Sequence, residues 1–272
     1  METTAFIRRC VVASGKSDLL YSTSGERRAP AYVCGTVLFA EPAETVVFFD
    51  LDHTLWDFDA NAAATLRALH TAHHFGRWFE VEAFIDTYTR INHLAWKRFH
   101  QGLITQAELR VSRFPDTFRA LGADPAAVPA GFGEEFITAC SSQTGTFPHT
   151  HAVLATLQAR GYPLHILTNG FRDSQHRKLA ASGLADFFTE VITTDCAGCA
   201  KPDARIFRHA LARAGATAAR SVMIGDSLEA DVLGALNAGW ASAVYFNPGR
   251  ERHYVTVPHE ITDLRALLDL LP

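Results

Sequence analysis

Thr45-Val46-Val47-Phe48-Phe49-Asp50-Leu51-Asp52-His53-Thr54 is the stretch that decides the fold. Val46 to Phe49 are apolar without interruption, two β-branched residues and then two aromatic ones. Such a run suits a strand covered on both faces, which is the situation of a parallel sheet flanked by helices. It stops at two carboxylates and a threonine, so polar side chains are expected at the carboxyl end of the first strand. In open α/β sheets that end is where ligands collect.

Working outward, the chain after Pro148 alternates helix and strand. Helices are expected over 149–160, 172–182, 203–214 and 228–238, strands over 163–167, 191–193, 221–224 and 243–245, and a closing helix over 261–270. Gly161, Gly183, Gly215 and Gly239 stand where these helices should stop. Residues 61–147 differ, because Phe84, Tyr88, Ile91 and Ala95 recur at helical spacing without strand-like alternation. The reading is an α/β fold, a Rossmann-like doubly wound parallel sheet over 45–60 and 148–272 with an all-helical cap inserted over 61–147. Residues 1–44 place Arg8, Arg9, Lys16, Arg27 and Arg28 among Ser, Thr and Gly without sustained periodicity, as a flexible extension would.

Composition limits the function. With 272 residues, 48% hydrophobic and 20% charged, the chain is that of a globular protein rather than a disordered one. A formal net charge of -4 supplies no broad basic field, so neither a nucleic-acid polymer nor an anionic membrane is an expected partner. No apolar run reaches the roughly 18 residues of a membrane span. Five cysteines are an odd and sparse set, which favours a reducing compartment and cytoplasmic localisation.

Polar residues follow each expected strand: Asp50 and Asp52, then Thr168-Asn169-Gly170, then Lys201-Pro202, then Gly225-Asp226-Ser227. Singly, each has a structural reading as a helix cap, a turn or a helix-starting proline. Together, at the ends of four strands of one sheet, they form a candidate site.

With these residues the sequence resembles the haloacid dehalogenase (HAD) superfamily of phosphohydrolases, whose first motif Asp-x-Asp-x-Thr stands here as Asp50-Leu51-Asp52-His53-Thr54. The resemblance covers about residues 45–270 and implies the capped Rossmann-like core already read. It implies Asp50 as the nucleophile forming an aspartyl-phosphate, and Asp52 as the acid and base that serves the leaving oxygen and then water. The Thr168 hydroxyl and the Asn169 N–H would hold the phosphoryl oxygens, Lys201 would offset charge, and Asp231 would orient Lys201 or metal-bound water. Carboxylates repel a phosphate dianion, so Asp50, Asp52 and Asp226 together call for a hard cation, and oxygen donors select Mg2+. Its ligands would be Asp50, the Asp52 backbone carbonyl and Asp226. Dehalogenating and phosphonate-cleaving members lack the second aspartate, so Asp52 argues for phosphate ester hydrolysis.

Finer segments, including Gln175, Lys178-Leu179 and Ser182-Gly183-Leu184, and in the cap Ile91-Asn92-His93-Leu94-Ala95-Trp96, are similar to the noncanonical pyrimidine nucleotidases of the superfamily. That branch implies hydrolysis of pyrimidine nucleoside 5′-monophosphates such as UMP, dUMP and dTMP, including modified analogues. Trp56, Phe58 and Trp96 are the residues chosen as base contacts. The expected partner is a small phosphate monoester, a nucleotide by the resemblance, and the expected state a monomer or homodimer. Competing readings are an acylneuraminate 9-phosphate or general sugar-phosphate phosphatase, a phosphomutase, and a non-catalytic binding protein. His70, His73 and His74 have metal-ligand spacing but no matching acid, and Cys196 and Cys199 lie in a loop, so a solvated helix face and reduced thiols are expected there.

Overall fold

The computed structural model describes residues 42–272. The expectation for residues 1–44 therefore falls almost wholly outside the described residues. A short turn at Pro42–Glu44 leads into β1 (Val46–Phe49). Four helices come next: α1 (Phe58–Ala72), α2 (Val81–His100), α3 (Gln106–Ala120) and α4 (Phe132–Ser141). Helix α5 (Thr150–Ala159) then returns the chain to β2 (Leu164–Leu167). Next come α6 (Arg172–Ala181), β3 (Glu190–Ile192), the single turn α7 (Thr194–Ala197), α8 (Ala204–Ala214) and β4 (Ser221–Gly225). A widened helical turn at Leu228–Leu233 continues into α9 (Gly234–Asn237), and β5 (Ser242–Phe246), β6 (His259–Ile261) and α10 (Leu267–Leu270) end the fold.

The strands form one sheet in the order β3-β2-β1-β4-β5-β6, and every pairing is parallel. Strand β1 is central, flanked by β2 and β4, so its carboxyl end lies at the point where the strand order changes direction. Alternate residues of β1 feed two cores: Val47 and Phe49 pack with α5 and the cap helices, while Phe48 packs with α8 and the turn before α9. All three are fully buried, which explains the uninterrupted apolar run.

Cap and core share one apolar cluster, and the cap is rich in aromatic contacts. Phe75 is fully buried against Trp78, Phe79, Phe84, Phe118 and Phe132. With His70 of α1, which meets Phe75, Phe79 and Phe84, these rings hold α1, α2, α3 and α4 together, so most cap aromatics are packing residues. Helix α3 starts on a capping box, in which Thr105 Oγ1 accepts from Glu108 N–H and Glu108 accepts from Thr105 N–H.

Two expectations need correction. The closing helix over 261–270 is instead β6 followed by a short turn and the four-residue α10. Only three residues long, β6 pairs on one side with β5 and carries His259 and Glu260, a pattern too short and polar for apolar periodicity to reveal. The expected helix over 228–238 opens as a wide turn, because Val232 N–H reaches back five residues to the Ser227 carbonyl at 3.2 Å.

Candidate active site

The loop after β1 folds back on itself. Leu55 and Trp56 N–H both donate to the Leu51 carbonyl, at 3.0 and 2.9 Å, and His53 takes a left-handed φ of 63° to allow it. His is one of the side chains that tolerates this region, and the tight turn keeps Asp50, Asp52 and Thr54 at one end of the sheet.

Asp50 is 7% exposed and lies beside a fully engaged lysine. Lys201 Nζ donates to Asp50 Oδ1 at 2.6 Å, to Asp231 Oδ1 at 2.6 Å and to the Leu167 carbonyl at 2.7 Å. An ammonium has three N–H donors, so Lys201 has none left for a phosphate in this arrangement and its influence there is by charge. Burial acts to lower the Lys201 ammonium, but the Asp231 and Asp50 carboxylates outweigh it and hold the group above its ordinary value. Asp231 is held on both oxygens, the second accepting from Ser227 N–H at 3.0 Å. The wide turn at Leu228–Leu233 is what brings this side chain under Lys201.

The carboxylates outnumber the cation. Asp50, Asp226 and Asp231 offer oxygens that all lie within 4.8 Å of one another. Burial, then the repulsion of Asp231 and Asp52 working against the attraction of Lys201, raises the Asp50 carboxyl to about 7. Burial, with Asp50 and Asp231 adding to it, puts Asp226 well above the usual carboxylate range, and a 3.1 Å hydrogen bond from Thr54 Oγ1 only partly opposes this. Among the described residues, Asp50 Oδ2 and Asp226 Oδ2 receive no donor, while both Asp231 oxygens are taken. An all-oxygen set with excess negative charge and two unengaged oxygens fits a hard divalent cation held by Asp50 and Asp226.

Asp52 has a separate environment. Lys178 Nζ donates to its Oδ1 at 2.6 Å and Gln175 Nε2 to its Oδ2 at 2.9 Å. Burial acts to raise the Asp52 carboxyl, yet the Lys178 ammonium and the two hydrogen bonds outweigh it and hold the group below its ordinary value. Two aspartates two residues apart thus shift in opposite directions, Asp50 upward because burial outweighs Lys201, and Asp52 downward because Lys178 and the two hydrogen bonds outweigh burial.

The remaining loops complete the site. Thr168 is buried, its Oγ1 accepting from Gly170 N–H at 3.1 Å. The Asn169 side chain exchanges bonds with the Lys201 backbone, accepting from its N–H at 2.7 Å and donating to its carbonyl at 3.0 Å. This fixes the loop after β2 to the loop carrying the lysine. The cap arrives here too: Asn169 Nδ2 lies 3.3 Å from His100 Nε2, and Trp96 stacks on Phe171 with ring centroids 5.5 Å apart.

The structure thus brings Asp50, Asp52, Thr168, Asn169, Lys201, Asp226 and Asp231 to one edge of the sheet. The aromatic candidates are placed differently. Trp56 is fully buried, donates from Nε1 to the Gln143 carbonyl at 3.2 Å and faces Lys178 Nζ at 4.5 Å, so it presents no ring face to a substrate. Phe58 lies 5.4 Å from the same ammonium, and Trp96 is a cap-to-core contact. Sequence reasoning quoted Gln175 and Lys178 without giving them a role. Their three-residue spacing on a helix that starts directly after the Thr-Asn-Gly loop was the available signal. Of the three cap histidines, His70 Nε2 lies 2.9 Å from the Phe79 carbonyl and His73 Nε2 2.9 Å from Glu135, while His74 is exposed. Cys140, Cys196 and Cys199 are free thiols.

An acidic, lysine-braced site at the carboxyl end of a Rossmann-like parallel sheet, with a helical cap docked beside it, defines the class of protein as a capped hydrolase with an aspartate-based site. The chain belongs to the haloacid dehalogenase-like hydrolases, whose family model matches residues 44–239. It is similar to the pyrimidine 5′-nucleotidase PynA of Streptococcus pneumoniae, 33% identical over 228 residues that cover 83% of this chain and 94% of that one. It is also similar to the pyrimidine 5′-nucleotidase YjjG of Escherichia coli, 32% identical over 72% of this chain and 83% of that one. The crystal structure of the HAD-hydrolase YfnB of Bacillus subtilis, bound to magnesium, superposes with a TM-score of 0.75 at 27% identity, covering 84% of this chain and 98% of that one. Other relatives are sugar-phosphate phosphatases. Among the described residues, no helix is long and apolar enough to cross a membrane.

Proposed function

We propose that the protein is a Mg2+-dependent phosphomonoester hydrolase that works through an aspartyl-phosphate on Asp50 and takes pyrimidine nucleoside 5′-monophosphates, such as UMP, dUMP, dTMP or modified analogues, as substrates. The observation that carries the chemistry is the pair of aspartates, Asp50 braced by Lys201 and Asp52 held independently by Lys178 and Gln175. Separate partners let the two carboxyl groups be placed independently, Asp50 toward phosphorus and Asp52 toward the leaving oxygen. Asp50, Asp226 and the Asp52 backbone carbonyl would hold Mg2+, which when bound would supply the positive charge that keeps the carboxylates ionised and offsets the phosphate.

The residues act in two balanced steps. Asp50 attacks phosphorus, the bond from phosphorus to the nucleoside 5′ oxygen breaks, and that oxygen takes a proton from Asp52. Water then attacks the same phosphorus and gives its proton to Asp52, and the bond to Asp50 breaks, releasing phosphate and restoring the carboxylate. The Thr168 hydroxyl and Asn169 N–H hold the phosphoryl oxygens, and Lys201, oriented by Asp231, adds charge from its fixed place.

Similarity to PynA and YjjG over most of the chain, including the cap segment that selects substrates, supports the pyrimidine reading. Residues 61–147 act as that cap, residues 45–60 and 148–272 as the catalytic core. The protein works on small esters in the cytoplasm, as a monomer or homodimer; the sparse cysteines, of which Cys140, Cys196 and Cys199 are free among the described residues, support that compartment. The sugar-phosphate phosphatases among the relatives favour a second reading, with a sugar phosphate or acylneuraminate 9-phosphate as substrate.

The test is phosphate release with Mg2+ from UMP, dUMP, dTMP, AMP, GMP, acylneuraminate 9-phosphate and hexose phosphates, with Asp50→Asn as control. A pyrimidine preference lost in the variant is the expected result. Activity confined to sugar phosphates would replace the substrate and keep the chemistry, and release unaffected by the variant would overturn the mechanism.

A further inference from the structure

Asp52 is held from a single helix face. Gln175 and Lys178 are three residues apart on α6, so both project toward the end of β1. Each takes a different carboxylate oxygen, at 2.9 Å from the amide and 2.6 Å from the ammonium, and a carboxylate gripped at two points has its rotation fixed.

The surroundings of the grip point the same way. Lys178 is 7% exposed as a side chain, and a buried ammonium demands a partner; here its ion pair goes to Asp52. The Trp56 and Phe58 rings cover its other sides at 4.5 and 5.4 Å, the cation–π distance, and Trp56 is itself pinned to the Gln143 carbonyl. Gln175 is buried, and a Cβ on Gly170 would stand 1.8 Å from its Nε2. The absence of a side chain at Gly170 therefore makes room for the amide that reaches Asp52.

We infer that Lys178, assisted by Gln175, is the positioning residue for Asp52, aiming that carboxyl group between the leaving oxygen and the hydrolytic water. The inference rests on the acid-and-base reading of Asp52 given above. Neither residue touches the substrate; each acts through Asp52. With both oxygens accepting, Asp52 is a carboxylate, so before the first step it takes up one proton, from solvent or from a substrate bound as the phosphate monoanion; the bond to that oxygen opens while the other keeps the group aimed.

Esters with different leaving groups separate positioning from general damage. A nucleoside alkoxide needs a proton as it departs, whereas nitrophenolate leaves as a stable anion. The ratio kcat/KM reports only the steps through phosphoryl transfer to Asp50, so loss of an aimed acid lowers it for UMP and spares p-nitrophenyl phosphate. Lys178→Met is expected to lower kcat/KM for UMP on the order of 100-fold, the usual contribution of a general acid, with a change of less than about 5-fold for the aryl ester. Lys178→Arg should restore part of the loss, and Gln175→Leu should show the same selectivity at a smaller magnitude. Crystal structures of the variants should show the Asp52 carboxylate turned from its place while Asp50, Lys201 and Asp226 keep theirs.

Equal losses for both esters, or an unmoved Asp52 in the Lys178→Met crystal, would overturn the inference and leave the hydrolase reading standing. Absence of phosphate release from either ester by the unaltered protein would instead sink the hydrolase reading, and the crystal structures would still decide whether Lys178 sets the Asp52 orientation. If Lys178→Met does not fold, Gln175→Leu and Lys178→Arg carry the same comparison.

Discussion

Replacing the nucleophile is expected to stabilise the protein when no divalent cation is present. In the fold, Asp50 resists ionisation until about 7, while in the unfolded chain it ionises near 3.8. Between those values the folded state binds more protons than the unfolded state, so stability falls as pH rises through the window and stays lower above it. At 1.36 kcal/mol for each tenfold step, the penalty approaches about 4 kcal/mol at pH 7.5 and about 2 kcal/mol at pH 5. Asn at position 50 carries no such penalty and still offers an oxygen to Lys201. Because Lys201 is then left with Asp231 as its one charged partner, about half of the full figure is the working value, roughly 2 kcal/mol at pH 7.5 and a rise in Tm of about 4–8 °C. Thermal unfolding followed by circular dichroism in chelator, at pH 7.5, 6 and 5, reads this directly. The gap between Asp50→Asn and the unaltered protein should narrow as pH falls, and Mg2+ should raise Tm more for the unaltered protein than for the variant. A variant that unfolds at or below the temperature of the unaltered protein at pH 7.5 in chelator would refute the argument that crowded carboxylates load this site.

Other outcomes follow from the same geometry. In Gly225→Ala the added Cβ would fall 2.2 Å from Asp231 Oδ2, pushing Asp231 off Lys201 and Ser227; urea unfolding should show a loss of about 3 kcal/mol, and a loss under about 1 kcal/mol would contradict the placement. Phe75→Ala opens a cavity among five aromatic neighbours and should cost about 3–5 kcal/mol in the same assay, with a loss of near-ultraviolet ellipticity. Chelation should abolish phosphate release and Mg2+ should restore it; activity that persists after exhaustive chelation would remove the cation from the account.

The β1 reading succeeded because a strand covered on both faces leaves an unbroken apolar run, and because Asp50 and Asp52 mark where the covering ends. The helix stops were equally legible: Gly161, Gly183, Gly215 and Gly239 all adopt positive φ, a conformation that other residues avoid. Strand β6 was not legible, since His259 and Glu260 gain their order from pairing with Tyr245 and its neighbours rather than from their own pattern. The wide turn after Ser227 was hidden for a related reason, because it depends on Asp231 reaching both Ser227 N–H and Lys201 from a distant loop.

Site residues divide along the same line. Asp50, Thr168 and Asp226 sit directly after strands, and Lys201 in the loop beyond β3 and α7, so their convergence follows from topology. Lys178 lies in the last turn of α6, and although its spacing from Gln175 puts both on one face, that spacing alone does not separate a solvated lysine from one buried against Trp56. Trp56 looked like a base contact because an aromatic residue near an active-site loop has two uses, stacking on a ligand or covering a charge. Only the tertiary contacts with Lys178 and Gln143 distinguish them.

The most direct test of the account is to look for the phosphoryl group on Asp50. The protein is mixed with UMP and Mg2+, quenched rapidly in acid, and the peptide carrying Asp50 is examined by mass spectrometry after borohydride reduction, which converts an aspartyl-phosphate to homoserine. Homoserine at position 50, absent without substrate and absent in Asp50→Asn, is the predicted result. Phosphate release from UMP with no modification at Asp50, or with the modification at another residue, would contradict it.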